Sequence, residues 1–231
     1  MDLLELDQGV DPSAHWYYRT KADALKRTLR RAGVRPGDVK DVGAGSGFFS
    51  DVVLELYPQC TARCIDPHYT DQQLAQGTER ISFAREDLTP SDLYLFMDVL
   101  EHVADDVALL HDYVRTARAG AVFFISVPAM QFLWSGHDVF LGHHRRYTIR
   151  SLEQVVTAAG LQVLSGRYLY GATFPAVAAV RLLRRSAKPK SDMAPAPTWL
   201  NCMLTRMLTA ENRLSGNRIA GSTATVLAVK P

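Results

Sequence analysis

The chain has 231 residues, 47% of them hydrophobic and 22% charged, with a formal net charge of +2 at pH 7. This is the composition of a globular chain able to bury a large core, and it excludes a strong overall field for nucleic acid, so no nucleic-acid partner is expected. The three cysteines form no paired framework, no stretch approaches the ~20 apolar residues of a membrane span, and the acidic first residues lack a signal-peptide core; a reduced, cytoplasmic protein is the expectation.

Residues 13–32 read as an amphipathic helix, with Tyr17, Ala24, Leu25 and Leu29 on its apolar side and Gly33 at its end. A brief strand at 39–42 runs into Asp41-Val42-Gly43-Ala44-Gly45-Ser46-Gly47. From Ser46 the pattern turns helical, with Phe49, Val52, Val53 and Leu56 on one stripe. Further strands are predicted at 61–65, 81–84, 93–97 and 121–127, with a helix over 104–118. Ser151 with Gln154 has the spacing of a capping box, opening a helix that stops at Gly160. Strand six is predicted at 161–170 and a last strand at 223–229.

Such alternation predicts an α/β fold, a doubly wound, mostly parallel seven-stranded sheet. About 50 residues join the last two strands, far more than a usual connection. We read them as helix (174–185), a Pro- and Lys-rich linker (188–197) and helix (198–214). The expected organisation is an N-terminal helix or lid (1–37), a ligand-binding core (38–170), a helical insert (171–220) and the last strand (221–231).

A Gly-rich turn from strand to helix is a place to hold a nucleotide-like ligand. It is not a dinucleotide fingerprint, because the third glycine would fall at Phe48. Nor is it a phosphate-binding Walker loop, since no Gly-Lys-Ser/Thr follows. Carboxylates then mark four successive strand ends: Asp41, Asp66, Asp87 and Asp98. Ligands bind at the carboxyl ends of such strands.

Here the chain resembles the class I S-adenosylmethionine-dependent methyltransferases. The matching residues are Asp41 to Gly47, Cys64-Ile65-Asp66, Glu86-Asp87-Leu88 and Asp98-Val99-Leu100-Glu101-His102-Val103, in the family's order and spacing. The resemblance implies the Rossmann-like methyltransferase fold and S-adenosyl-L-methionine as cofactor. It implies that the turn with Gly43, Ala44, Gly45, Gly47 and Phe48 holds the methionine moiety, with Asp41 on its amino group. Asp66, followed by Pro67, would bind the ribose hydroxyls. Asp87 and Leu88 would face the adenine, and Met97 and Asp98 would line the floor near the sulfonium, with His102 close by. Lys40 departs from the apolar residue of relatives, and weaker strand burial is expected there.

The stretch 128–147 follows strand five and belongs beside the ligand edge. It carries Trp134, His137, His143, His144, Arg146 and Tyr147. His137, His143 and His144 invite a metal reading, but metal sites need ligands at fixed spacing with a second shell, and no metal is expected. A neutral histidine is a ready proton acceptor, so His143, and next His144, is the expected general base. Gly142-His143-His144-Arg145-Arg146-Tyr147 also resembles a stretch that closes over the acceptor pocket in part of the family, which implies Arg146 for an anionic group of the substrate. Trp16 and Tyr17 resemble an aromatic entry segment; simple packing of the first helix on the sheet is the alternative.

The expected activity is methyl transfer to a small-molecule or lipid-like acceptor. A protein side chain as acceptor, or a binding module without turnover, stays open. The basic, apolar pattern within 174–214 suits packing on the sheet, and also peripheral contact with an anionic membrane.

Overall fold

The computed structural model describes residues 10–183, 196–214 and 216–231. The expected linker at 188–197 lies almost wholly outside the described residues. The elements run α1 (Trp16–Arg31), β1 (Asp38–Val42), α2 (Phe48–Leu56), β2 (Thr61–Ile65), α3 (Asp71–Leu74), β3 (Ile81–Ala84), β4 (Leu93–Met97), α4 (Asp106–Thr116), β5 (Val122–Pro128), α5 (Gly136–Phe140), α6 (Ile149–Ala158), β6 (Gln162–Leu169), α7 (Phe174–Leu183), α8 (Thr198–Arg213) and β7 (Thr223–Val229). Short 3-10 turns at Leu100–His102 and Gln131–Leu133 follow β4 and β5.

The seven strands form one sheet in the order β3-β2-β1-β4-β5-β7-β6. All neighbours pair in parallel except β7, which is antiparallel to both β5 and β6. The fold class is as expected. The strand order reverses between β1 and β4, and the crevice at their carboxyl ends is where such sheets bind ligands.

Every residue of β4 is buried, as befits a central strand covered on both faces. The pleat sends Tyr94 and Phe96 to one face and Leu93, Leu95 and Met97 to the other. Tyr94 and Phe96 join Phe123, Ile125, Leu152 and Val156 in one core, where the Tyr94 and Phe123 rings stack 4.4 Å apart. Leu93, Leu95 and Met97 meet Leu25 and Leu29 of α1 and Val52 and Val53 of α2 in the second.

Lys40 does not weaken its strand. Its side chain is fully buried, and Nζ lies 3.3 Å from Asp87 Oδ1. It also donates to the Asp87 carbonyl at 3.2 Å, to Thr89 Oγ1 at 3.2 Å and to the Thr89 carbonyl. The capping box before α6 is also shifted from the expected Ser151. Thr148 is the N-cap and Ser151 its partner three residues on. A hydroxyl three residues further in serves as well as Gln154 would, so spacing alone chose the wrong pair.

The insert divides in two. α8 packs on α1: the Trp16 amide donates to Asn201 Oδ1 at 2.7 Å, and Asn212 Nδ2 donates to the Thr20 carbonyl at 2.8 Å. Leu208 of α8 is buried with Ala24, Leu169 and Tyr170. α7 has no buried residue; it rests beside the turn after β5, with Phe174 edge-on to Phe132 at 6.1 Å. Among the described residues no helix is long and apolar enough to cross a membrane.

Candidate active site

The glycine turn starts where β1 ends. Gly43, Gly45 and Gly47 all take positive φ, at 67°, 54° and 76°, a region L side chains enter only at a cost. The Gly43 and Ala44 amides both donate to the Ile65 carbonyl, at 2.7 and 3.0 Å, which binds the turn to the end of β2. A Cβ at Gly43 would lie 2.6 Å from Val99 Cγ2, so glycine is required there by space as well as by torsion.

Two carboxylates flank this turn. Asp66 is buried; its Oδ2 accepts from the Gly45 amide at 3.1 Å and its Oδ1 from the His68 amide at 3.0 Å. A carboxylate has about four lone-pair sites, so capacity for ribose hydroxyls remains. Asp41 is almost fully buried, with Oδ2 accepting from Ser50 Oγ at 3.0 Å and Oδ1 lacking a hydrogen-bond partner among the described residues. Burial pushes its carboxyl up to about 6. An orphaned buried carboxylate oxygen at the rim suits an ammonium group, and the turn leaves backbone approach open. These residues fit S-adenosylmethionine. Around them, Ala44 is buried, Pro67 is exposed, and Phe48 packs on Phe49 and Tyr18.

Asp87 sits differently. Its carboxylate meets Lys40 and Arg63 and accepts from the Thr89 amide and hydroxyl. Burial acts to raise its pKa, but the Thr89 and Arg63 hydrogen bonds and the Lys40 charge outweigh it and hold it at about 2. The carboxylate is thus fixed on Lys40, Arg63 and Thr89. Leu88 beside it is exposed.

At the end of β4, Met97 is buried and Asp98 takes the left-handed conformation at φ 58°. That strained turn aims Asp98 at Lys21 of α1, which is fully buried and ion-paired with it. Lys21 also donates to Tyr17 Oη at 2.8 Å. Tyr17 stacks on Tyr170 with ring centroids 5.0 Å apart, and Trp16 stands edge-on to Tyr170 at 6.0 Å. Tyr170 and Met130 are likewise left-handed, at φ 64° and 63°. Non-glycine residues in that region cluster at functional sites, and these three occur just past the ends of β4, β5 and β6.

The Gly142–Tyr147 stretch is stitched to the turn after β4. The His144 amide donates to the Glu101 carbonyl at 2.7 Å. Arg145 donates to the Val103 and Ala104 carbonyls and pairs with Asp106 at 3.0 Å. The Tyr147 hydroxyl lies 2.7 Å from Asp106 Oδ2 and 3.1 Å from the Leu100 carbonyl, buried. The result brings His143 against His102, ring centroids 4.7 Å apart. Half-buried His137 is 6.4 Å from His143, and Trp134 is half-buried at the end of the turn after β5. His144 itself is exposed.

Arg146 departs from the expected substrate role. Its Nε and Nη2 donate to Asp138 at 2.6 and 3.0 Å, and Nη1 to the Ala129 carbonyl at 3.1 Å. It is buried, and the pair organises the loop. His143 Nδ1 lies 2.9 Å from the same Asp138 carboxylate, which is held well below the usual carboxylate range because His143 and Arg146 outweigh its burial.

Glu101 and Lys21 were given no role by sequence reasoning. Lys21 stands four residues after Tyr17 on the apolar stripe of α1, a misplaced charge that signalled a buried partner. Glu101 is fully buried, and both carboxylate oxygens lack a hydrogen-bond partner among the described residues. Burial pushes its carboxyl well above its ordinary range.

A switch-point crevice with a glycine turn, strand-end carboxylates and an aromatic wall defines the class I methyltransferases, whose cofactor is S-adenosylmethionine. Residues 13–165 match the methyltransferase domain family, and the chain belongs to it. A protein of Mycolicibacterium smegmatis, described as a probable S-adenosylmethionine-dependent methyltransferase, is 23% identical over 167 residues. That match spans 67% of this chain but 62% of the relative's length. Among solved structures, the complex between the Haloferax volcanii Trm112 methyltransferase activator and a methyltransferase aligns with TM-score 0.59 at 17% identity, over 90% of this chain and 89% of that one. The cyclase SpnF aligns with TM-score 0.57 at 15% identity, over 90% and 81%. These likenesses concern the fold.

Proposed function

We propose that the chain transfers the methyl group of S-adenosylmethionine to a small, lipid-like acceptor. The observation that carries this reading is the rim: Asp41 with an oxygen lacking a partner among the described residues and Asp66 on the Gly45 amide, at the carboxyl ends of β1 and β2, with Glu101, His102 and His143 clustered past the end of β4. When bound, the cofactor supplies an electrophilic methyl with its own leaving group. What remains for the chain is alignment of an acceptor atom at near-contact distance.

Asp41 holds the ammonium and Asp66 the ribose hydroxyls. Lys21 and Asp98, with Tyr17 and Tyr170, shape the wall between cofactor and acceptor. The Glu101–His102–His143 cluster is the polar group that assists loss of a proton from a hydroxyl acceptor. Support for an apolar acceptor comes from α7. Arg181 donates to the Leu133 carbonyl at 3.1 Å, so α7 flanks the acceptor loop, and Val180, Leu182 and Leu183 on it are 48%, 46% and 87% exposed.

The test is calorimetry with S-adenosylhomocysteine, followed by labelled-methyl transfer into a cell extract separated into lipid, small-metabolite and protein fractions. Binding with label in the organic-soluble fraction is expected. Label confined to protein overturns the acceptor class, and absence of binding overturns the cofactor.

A further inference from the structure

We infer that Glu101, His102 and His143 form a divalent transition-metal site at the acceptor side of the crevice. The candidate ligand atoms of the three residues all lie within 4.8 Å of one another. A tetrahedral ion about 2.1 Å from each donor separates the donors by about 3.4 Å. The side chains therefore need to close by at most about 1.4 Å, within the reach of ordinary side-chain adjustment.

Three further observations point to a cation. The first is Glu101. It is fully buried with both oxygens lacking a partner among the described residues, and buried polar oxygens in that state are costly until a proton or a cation meets them. Among the described residues, Lys21 is the cation whose charge reaches Glu101, and it is itself ion-paired with Asp98.

The second is the orientation of His143. Its Nδ1 is held by Asp138 at 2.9 Å, which leaves Nε2 as the atom it can offer. A carboxylate on the far nitrogen of a histidine is the outer-shell arrangement that fixes tautomer and ring direction for a bound metal. Asp138 is itself fixed by the two Arg146 hydrogen bonds at 2.6 and 3.0 Å.

The third is the donor set. Two imidazoles and one carboxylate are the ligands of catalytic zinc and of related divalent sites with an open position. The expectation that no metal binds rested on His137, His143 and His144 taken along the chain. The fold instead joins His143 to Glu101 and His102 from the turn after β4, through the His144 amide on the Glu101 carbonyl at 2.7 Å.

The cation site stands on this geometry alone. Its consequence rests on the methyltransferase reading: an ion held by Glu101, His102 and His143 would orient an acceptor oxygen at its open position and make it more acidic, so that the proton would pass to solvent water rather than to His143, whose Nδ1 is held by Asp138. Metal-stripped full-length protein is titrated with zinc, without cofactor, by calorimetry, and the cobalt form is examined by visible absorption. One equivalent should bind, with ligand-field bands for cobalt. Glu101→Gln and His143→Ala should each weaken zinc at least about 100-fold while keeping the parent circular-dichroism spectrum, and exposed His111→Ala should not. His102→Asn serves as a second probe if either fails to fold. No binding by the parent, or undiminished binding by the folded variants, overturns the site, whatever the outcome for methyl transfer.

Discussion

Lys21 of the first helix and Asp98 at the end of β4 form an ion pair across 77 positions of sequence, with the lysine side chain fully buried and the aspartate 24% exposed. The pair fastens α1 over the carboxyl end of the sheet. Removing one partner of such a pair leaves a charge stranded. Lys21→Met should therefore cost about 3 kcal/mol, read as a lower urea midpoint with unchanged slope. Adding Asp98→Asn to that variant should recover part of the loss. A single variant as stable as the parent would show the pair to be incidental.

Arg146 supplies a direct contest between a loop-building and a substrate-binding role. Asp138 is buried, and Arg146 is its bidentate partner. Arg146→Met should cost about 2 kcal/mol, because it removes two charge-assisted hydrogen bonds from Asp138 while the Ser135 amide at 2.9 Å, His143 at 2.9 Å and Arg181 at 3.4 Å remain on the carboxylate. A variant that stays stable but shows a raised KM for the acceptor would return Arg146 to the substrate.

Gly43 is constrained twice, by its φ of 67° and by Val99 Cγ2, which lies 2.6 Å from the place a β-carbon would take. Gly43→Ala should destabilise by about 3 kcal/mol, part torsional and part steric. Val99→Ala in the same chain should relieve only the steric part. Full recovery in thermal melts would mean that the torsion costs nothing.

How much of this was legible in the sequence depends on range. Strands 61–65, 81–84, 93–97 and 223–229 were read with the bounds they have in the structure: 93–97 is a continuous apolar run and wholly buried, while 61–65, with Arg63 outward, and half-buried 81–84 were marked by the turn residues and carboxylates that follow them. The glycine turn and Asp66 are local signals and came with it. The rest required distant parts of the chain. Nothing local tells that Lys40 will find the Thr89 carbonyl, that Arg146 will be occupied by Asp138, or that His143 will meet His102. Even so, Lys21 on an apolar stripe was a visible anomaly, since a buried lysine needs a partner.

Asp41 gives a pH dependence with a defined sign. Its carboxyl is raised from 3.8 to about 6 by burial. The protonated form is therefore favoured by folding, and its stabilising contribution is complete below about pH 4 and lost as pH rises through about 6. Without ligand, Asp41→Asn should melt higher than the parent at pH 8, with the gap shrinking at pH 5. Affinity for S-adenosylhomocysteine should move the other way: it falls as pH drops below about 6, where the carboxylate that holds the ammonium is lost. An affinity flat from pH 5 to 8 removes Asp41 from the cofactor.

Asp66 and Asp87 occupy corresponding strand ends, yet the structure gives them different work. Asp66 accepts from the Gly45 amide in the turn, whereas Asp87 is paired with buried Lys40. Asp66→Ala should lower S-adenosylhomocysteine affinity 10-fold or more with a modest change in melting temperature. Asp87→Ala should do the reverse. It removes a charged partner from Lys40 while the Thr89 carbonyl remains, a loss of about 2 kcal/mol, and leaves affinity within about 3-fold, under 1 kcal/mol. The two readouts, calorimetry and thermal melting, separate the roles within one experiment. If Asp87→Ala instead weakened binding and left stability intact, its carboxylate would belong to the adenine, and the Lys40 pair would be the lesser of its contacts.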